Sequence, residues 1–251
     1  VQRVESQPAF VLHARPYRET SLLLEVLSAG LGRVGLIARG VRSARPRWSR
    51  GLLSPFAPIE LAWQGRGDLA TLTRAEPAGT PVALRGDALY AALYLNELLL
   101  RLLQRHDPHP ELFLRYAAGL DDLAVAVSRA ELAWVVRRFE RDLLAVLGYG
   151  LLLEQEAESG AAVEPDRRYS YEPERGPQRE GRGGIDIEGA ALLALARDQL
   201  PTAEHARAQR RLLRYVILHH LGGHEPKAWR LGKSLQSESE PELSAELRSS
   251  R

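Results

Sequence analysis

Cysteine is absent from all 251 residues. Disulfides, thiol nucleophiles and every cysteine-based zinc or iron–sulfur centre are therefore excluded. Methionine is absent too, so the translated start is expected upstream of Val1. Lysine is scarce: Lys227 and Lys233 are the only two, and arginine carries nearly all the positive charge. No apolar run approaches the ~18 residues of a membrane-spanning helix. Val1 to Gln7 is too polar for a secretory leader. A cytoplasmic protein with no membrane contact is the expectation. The remaining composition, 45% apolar and 26% charged, is that of a globular chain with ample material for a core.

Carboxylates are missing from one long stretch. Val26 to Ile59 holds no Asp or Glu but six arginines, Arg33, Arg39, Arg42, Arg45, Arg47 and Arg50, with Trp48 among them. The whole chain has a net charge of +2, so removing the +6 of this stretch leaves −4 elsewhere. Concentrated guanidinium charge with an interleaved aromatic suits a phosphate backbone with accessible bases. An arginine-rich loop on an ordinary solvated face explains the charge equally well.

Up to about Pro81 the pattern is of short strands separated by turns. The predicted strands are Ala9–Ala14, Ser21–Ser28, Arg33–Arg39, Pro55–Gln64 and Leu69–Ala75. Five short strands in about 80 residues suit a small barrel, and the OB-fold is the five-stranded barrel most used for nucleic acid. From Gly86 the period changes to helical. Gly86-Asp87 offers a cap for a helix over Ala88–Leu103, and further helices are expected over Glu111–Leu120 and Ser128–Leu147. Glu154 to Gly184 is polar and rich in Gly, Pro and Tyr, and reads as a loop with a small hairpin around Tyr169 and Ile185. Helices resume over Gly189–Leu200 and Thr202–Leu221, and Ser237–Arg251 has little to bury and is expected to be disordered. The fold class is α+β: a five-stranded OB-fold barrel (1–81), then an all-helical domain (82–236) with a β/loop insertion (154–187).

Catalytic signals fail on inspection. Gly30-Leu31-Gly32-Arg33-Val34-Gly35 matches the dinucleotide fingerprint, but a strand follows where a helix N-terminus is required. Gly232-Lys233-Ser234 lacks the earlier glycine of a phosphate loop, Lys227 standing in its place. His219, His220 and His224 could approach a metal with Glu225, but Leu221-Gly222-Gly223 should end the helix between them. No triad or carboxylate cluster stands out. The expectation is a binding protein without catalytic residues, metal or cofactor.

Several stretches together resemble the bacterial RecO family of recombination mediators. They are Ala9 to Ser21, Gly32 to Arg42, Leu53 to Phe56, Gly65 to Leu69, Leu93 to Leu99, Pro110 to Phe113, Arg138 to Glu140 and Leu147 to Gly150. Near the end, Leu221-Gly222-Gly223 and Lys227 also fit, while Ala228 and Trp229 replace a serine and an arginine of the family pattern. Many members carry a four-cysteine zinc module after Gly150, so this chain resembles the zinc-free branch. The resemblance implies an N-terminal OB-fold and a helical C-terminal domain that catalyse no covalent chemistry. It implies binding of single- and double-stranded DNA, annealing of complementary strands, and cooperation with RecR in placing RecA on DNA coated by single-strand-binding protein.

On this basis Arg33, Arg39, Arg42, Arg45, Arg47 and Arg50 are expected to contact phosphates, with Trp48 stacked on a base. The acidic tail of the single-strand-binding partner needs a cation beside an apolar pocket. Arg137 or Arg138 beside Phe139, with Lys227, are the residues expected to supply it. Pairing of these arginines with Glu140 or Glu131 along their own helix is the competing expectation. A nuclease, or an OB-fold module for RNA or translation, are the alternative functions.

Overall fold

The computed structural model describes residues 2–49, 51–65, 67–179 and 183–229. Strands β1 (Gln2–Tyr17), β2 (Ser21–Ser28), β3 (Gly32–Ala38), β4 (Pro58–Gly65) and β5 (Leu69–Pro77) close into a barrel in the order β1-β2-β3-β5-β4. All pairs are antiparallel except β3–β5. Alternation drives this closure. Ala9, Val11, Leu24, Val26, Val34, Leu36, Ile59, Leu61 and Leu72 point inward and fill the barrel.

β1 begins well before the predicted Ala9. Its first half pairs with β4 and its second half with β2, with register shifts at Val4/Gln7 and Val11/His13. Arg3 and Glu5 face solvent there, so the apolar run that signals a buried strand is missing.

The segment 39–57 between β3 and β4 is a long loop pinned at three apolar points. Val41, Trp48 and Leu53 are all buried in the barrel core. At its start, the Arg42 N–H donates to the Thr20 carbonyl at 2.8 Å. The loop therefore lies against the β1–β2 turn instead of projecting from it.

The outer face of the barrel carries a second apolar set. Phe10, Leu12 and Leu27 join the helical core, and the Phe10 ring lies 5.3 Å from Phe113 and 5.2 Å from Tyr116. Three helices supply the other side: α1 (Gly86–Leu102), α2 (Pro110–Val125) and α3 (Arg129–Val146). A buried polar chain fixes the junction: Asn96 donates from Nδ2 to the Leu12 carbonyl at 2.8 Å, and the Tyr116 hydroxyl donates to Asn96 Oδ1 at 2.6 Å.

Gly32 also belongs to this junction. Its φ is +68°, and a Cβ there would sit 2.1 Å from the Asp107 carbonyl oxygen. Close approach of the chain after α1, which bonds back through His106 N–H to the Arg33 carbonyl at 3.0 Å, explains this glycine. The central glycine of the dinucleotide-like motif is thereby accounted for structurally.

Helix α1 starts without the expected Gly86-Asp87 cap. Arg85 is the N-cap and no side chain caps the helix; Asp87 lies inside the first turn and pairs with Arg129 at 3.0 Å. By contrast Ser128 caps α3, accepting from the Glu131 N–H at 3.2 Å. Glu131 in turn accepts from the Val127 N–H at 2.9 Å.

The insertion is a three-stranded antiparallel sheet, β7-β6-β8, from β6 (Arg168–Glu172), β7 (Gly176–Gln178) and β8 (Ile185–Glu188). Its third strand was not legible because Gly-Pro-Gln carries no strand preference. Tyr169 and Tyr171 anchor the sheet in the helical core. Helices α4 (Gly189–Ala196) and α5 (Ala203–His220) follow. α5 stops where the glycines require it, Gly222 and Gly223 having φ of +62° and +84°. The expected tail 237–251 and the Gly232-Lys233-Ser234 motif lie outside the described residues.

The architecture is thus an OB-like closed barrel followed by a helical domain with a small extra sheet. Among the described residues no helix is long and apolar enough to cross a membrane.

Candidate nucleic-acid interface

The arginines of the acid-free stretch divide into two groups. Arg33 faces the helical domain. It is half-buried, its Nη1 donates to the Leu100 carbonyl, and its Nε lies 4.0 Å from Glu25. Arg105 bonds to the same Glu25 carboxylate. Burial pushes the Arg33 guanidinium below its ordinary range against the pull of Glu25, with Arg105 lowering it further. Its geometry is that of a strut between barrel and α1, not of an exposed phosphate contact, and the expectation for it is corrected accordingly.

Arg39, Arg45 and Arg47 are exposed, and Arg42 is partly so. None of the four forms an ion pair with any described residue. Arg42 Nη2 donates to the carbonyls of Arg18, at 3.0 Å, and Glu19, which fastens the loop to the β1–β2 turn. Arg47 Nη2 donates to the Thr73 carbonyl of β5 at 2.9 Å. Between them the two arginines stretch the loop across one end of the barrel, from β1–β2 to β5. Arg50 lies outside the described residues.

Trp48 departs from its expected role. It is only 8% exposed, packed in the barrel core, with the Arg47 guanidinium 4.8 Å from its ring centroid. An acid-free, arginine-rich context suggests a surface aromatic, but the loop needs an apolar anchor between Val41 and Leu53, and the indole supplies it.

Two cations not predicted join the exposed group. Arg15 on the outer face of β1 and Arg18 in the following turn are exposed and form no ion pair among the described residues. The register aligns Arg15 with Leu23 and Leu23 with Ile37, so Arg15 and Arg39 flank the same end of the sheet. Their separation in sequence hid them. The result is a band of Arg15, Arg18, Arg39, Arg42, Arg45 and Arg47 with no neutralising carboxylate bonded to it. Many helical-domain arginines are paired instead, including Arg115 with Asp142 at 2.7 Å and Arg141 with Asp198 at 2.7 Å.

The residues expected to hold an acidic tail are split between two places. Arg138 and Phe139 border a small groove beside Asp122 and Asp142, and Arg138 lies 3.5 Å from both Asp122 and Asp198. Arg137 points elsewhere. It lines an apolar cavity of about 400 Å³ with Tyr94, Trp134 and Trp229, and with Arg207, Arg210 and Arg214 of α5. Lys227 is exposed and precedes the cavity-lining Ala228 and Trp229 in the chain, and its backbone N–H donates to Glu97 at 2.7 Å.

Arg137 Nη2 donates to the fully buried Glu140 at 2.8 Å, the intrahelical pairing weighed from sequence, and the Tyr94 hydroxyl donates to the same oxygen at 2.6 Å. Burial raises the Glu140 carboxyl above its ordinary pKa, against the opposing effects of Arg137 and Tyr94. The remaining Nε and Nη1 of Arg137 have no partner among the described residues. Burial, together with Arg214 and Arg137, lowers Arg210, as expected where cations crowd. The Arg214 guanidinium lies 4.2 Å from the Trp229 ring centroid. Arg207, Arg210 and Arg214 were legible as a cationic stripe at helical spacing and were missed. The arrangement offers an aromatic, apolar slot rimmed by guanidinium donors.

Two family models match the chain. "Recombination protein O N terminal" covers residues 3–81 and "Recombination protein O C terminal" covers residues 84–230. The chain belongs to the RecO family. It is 50% identical over 224 residues to the DNA repair protein RecO of Nitrosococcus oceani, covering 88% of this chain and 89% of that one. It is 45% identical over 232 residues to that of Methylococcus capsulatus, at 92% and 94% coverage. The Halorhodospira halophila protein of the same name is 46% identical over 237 residues, at 92% and 98% coverage.

Proposed function

We propose that this chain is a DNA-binding recombination mediator of recombinational DNA repair in the bacterial cytoplasm, acting at the nucleoid. In this reading the barrel, residues 1–81, binds single- and double-stranded DNA, and the helical part, residues 82–236, receives protein partners. The chain anneals complementary single strands and, with RecR, helps load RecA on DNA coated by single-strand-binding protein. It performs no covalent chemistry.

The observation that carries the reading is the unneutralised band of Arg15, Arg18, Arg39, Arg42, Arg45 and Arg47 across one end of an OB-like barrel. Guanidinium groups whose charge no internal carboxylate neutralises are free to replace the counterions of a phosphate backbone. Two strands whose phosphates are neutralised can approach while their base edges stay available for pairing. The names of the relatives place those proteins in DNA repair, which supports the same context.

For the acidic tail of single-strand-binding protein, the cavity lined by Arg137, Arg210, Arg214 and Trp229 is the better-supported seat. It combines the guanidinium groups of Arg207, Arg210 and Arg214 with an apolar slot for a terminal aromatic. Arg138 and Phe139, on the separate groove, and Lys227, adjoining Ala228 and Trp229 in the chain, are left to a supporting role.

Annealing of complementary oligonucleotides, with and without single-strand-binding protein and in magnesium or EDTA, tests the proposal. Annealing in EDTA without strand loss is the expected result. Metal-dependent cleavage would point to a nuclease, and displacement of DNA by RNA to an RNA-binding module; either would overturn it.

A further inference from the structure

We propose that Glu174, His219 and His220 form a binding site for one divalent transition ion of the zinc class. The site lies far in sequence from the DNA-binding band and does not depend on it. Glu174 occupies the turn between β6 and β7 with a left-handed φ of +66°, which places it over the C-terminus of α5. His219 and His220 are the last two residues of that helix. Ligand atoms from all three residues lie within 4.8 Å of one another, and Glu174 Oε1 is 3.1 Å from His219 Nε2.

A tetrahedral zinc at ~2.0–2.1 Å from each ligand requires ligand atoms roughly 3.3 Å apart. The Glu174–His219 pair at 3.1 Å already meets that spacing, and His220, within 4.8 Å of both, needs to close by no more than about 1.5 Å. The two imidazole planes stand at 85°, with centroids 5.2 Å apart, so their nitrogens converge from different directions. His220 is held from behind: the Tyr149 ring stacks on it at 4.0 Å, and the Tyr149 N–H bonds to the Leu144 carbonyl at 2.8 Å. A groove of about 210 Å³ bordered by Tyr149, Pro173, Glu174 and His220 leaves room for a water as fourth ligand.

Two imidazoles and one carboxylate are a borderline N/O set that suits zinc over magnesium or calcium. His224, grouped with these histidines by sequence, lies beyond the glycine stop and does not join them. The ion would clip the β6–β7 turn to α5.

The test is calorimetric titration of tag-free protein with zinc chloride, supported by the visible absorption of bound cobalt(II). Saturable binding of one ion per chain, with tetrahedral cobalt bands and no competition from excess magnesium, is expected. Glu174→Gln, His219→Ala and His220→Ala should each weaken binding at least about tenfold, since even residues that only orient ligands cost 10- to 100-fold. His224→Ala should not. All three side chains are at least partly exposed, so circular dichroism without metal should match the parent. Zinc should also slow amide exchange in 171–179 in the parent but not in Glu174→Gln. Absence of saturable binding, or binding that survives all three substitutions, would overturn the site.

Discussion

Replacing Arg15, Arg39 and Arg45 together by alanine isolates the proposed DNA contact from the stability of the fold. Their side chains have no hydrogen bond or ion pair to any described residue, so stability should change by no more than about 0.5 kcal/mol per site. On single-stranded DNA each phosphate contact contributes about 0.7 to the slope of log affinity against log salt. Loss of three should flatten that slope by about 2. Across a fourfold rise, from about 50 to about 200 mM salt, the parent should then lose roughly 20-fold more affinity than the variant. Fluorescence anisotropy with a labelled oligonucleotide at several salt concentrations reads this directly. Arg129→Ala is the control, because Arg129 is highly exposed but paired with Asp87. An unchanged slope in the triple variant, or an equal change in the control, would refute the assignment of the band.

Trp48→Ala should lower stability by about 3–5 kcal/mol, the usual cost of emptying a core aromatic site; a near-neutral urea midpoint would contradict its place in the barrel core. Arg210→Ala with Arg214→Ala should weaken binding of an acidic peptide ending in phenylalanine at least tenfold by calorimetry, while Arg115→Ala leaves it unchanged. Burial raises the Glu140 carboxyl, so the folded state holds this proton more tightly than the unfolded chain does. This group therefore makes stability fall as pH rises from the ordinary carboxylate value towards the folded one, with a slope of at most about 1.4 kcal/mol per pH unit. Glu140→Gln should remove that component from thermal melts, and an unaltered pH profile would contradict it.

The barrel was legible because its strands are short apolar or alternating runs closed by turn residues, and β2 was readable to the residue. Where one half of a strand exposes charge on its outer face, as around Arg3 and Glu5 in β1, the pattern gave no edge. The helices were legible from Leu95, Leu98 and Leu99 or Val135, Val136 and Phe139, whose spacing marks a buried face. The site was read less well, because exposure depends on what a loop covers. Trp48 looks like a surface aromatic in sequence, and only the need to anchor loop 39–57 turns it inward. Arg33 looks identical to Arg39 in composition, yet one faces α1 and the other solvent. Arg15 joins the band through strand pairing, and Arg18 through the bond from Arg42 to its carbonyl, neither of which a local window can show. The cavity between α1, α3 and α5 needed all three helices in place before Arg137 and Arg214 could be seen to converge on Trp229.

Hydrogen exchange of the full chain, with and without saturating single-stranded oligonucleotide, tests the central claim most directly. Slowed exchange in the loop 39–57 and the β1–β2 turn is the predicted outcome. Protection confined to α5 or to the β6–β8 sheet, with the barrel end unchanged, would contradict it.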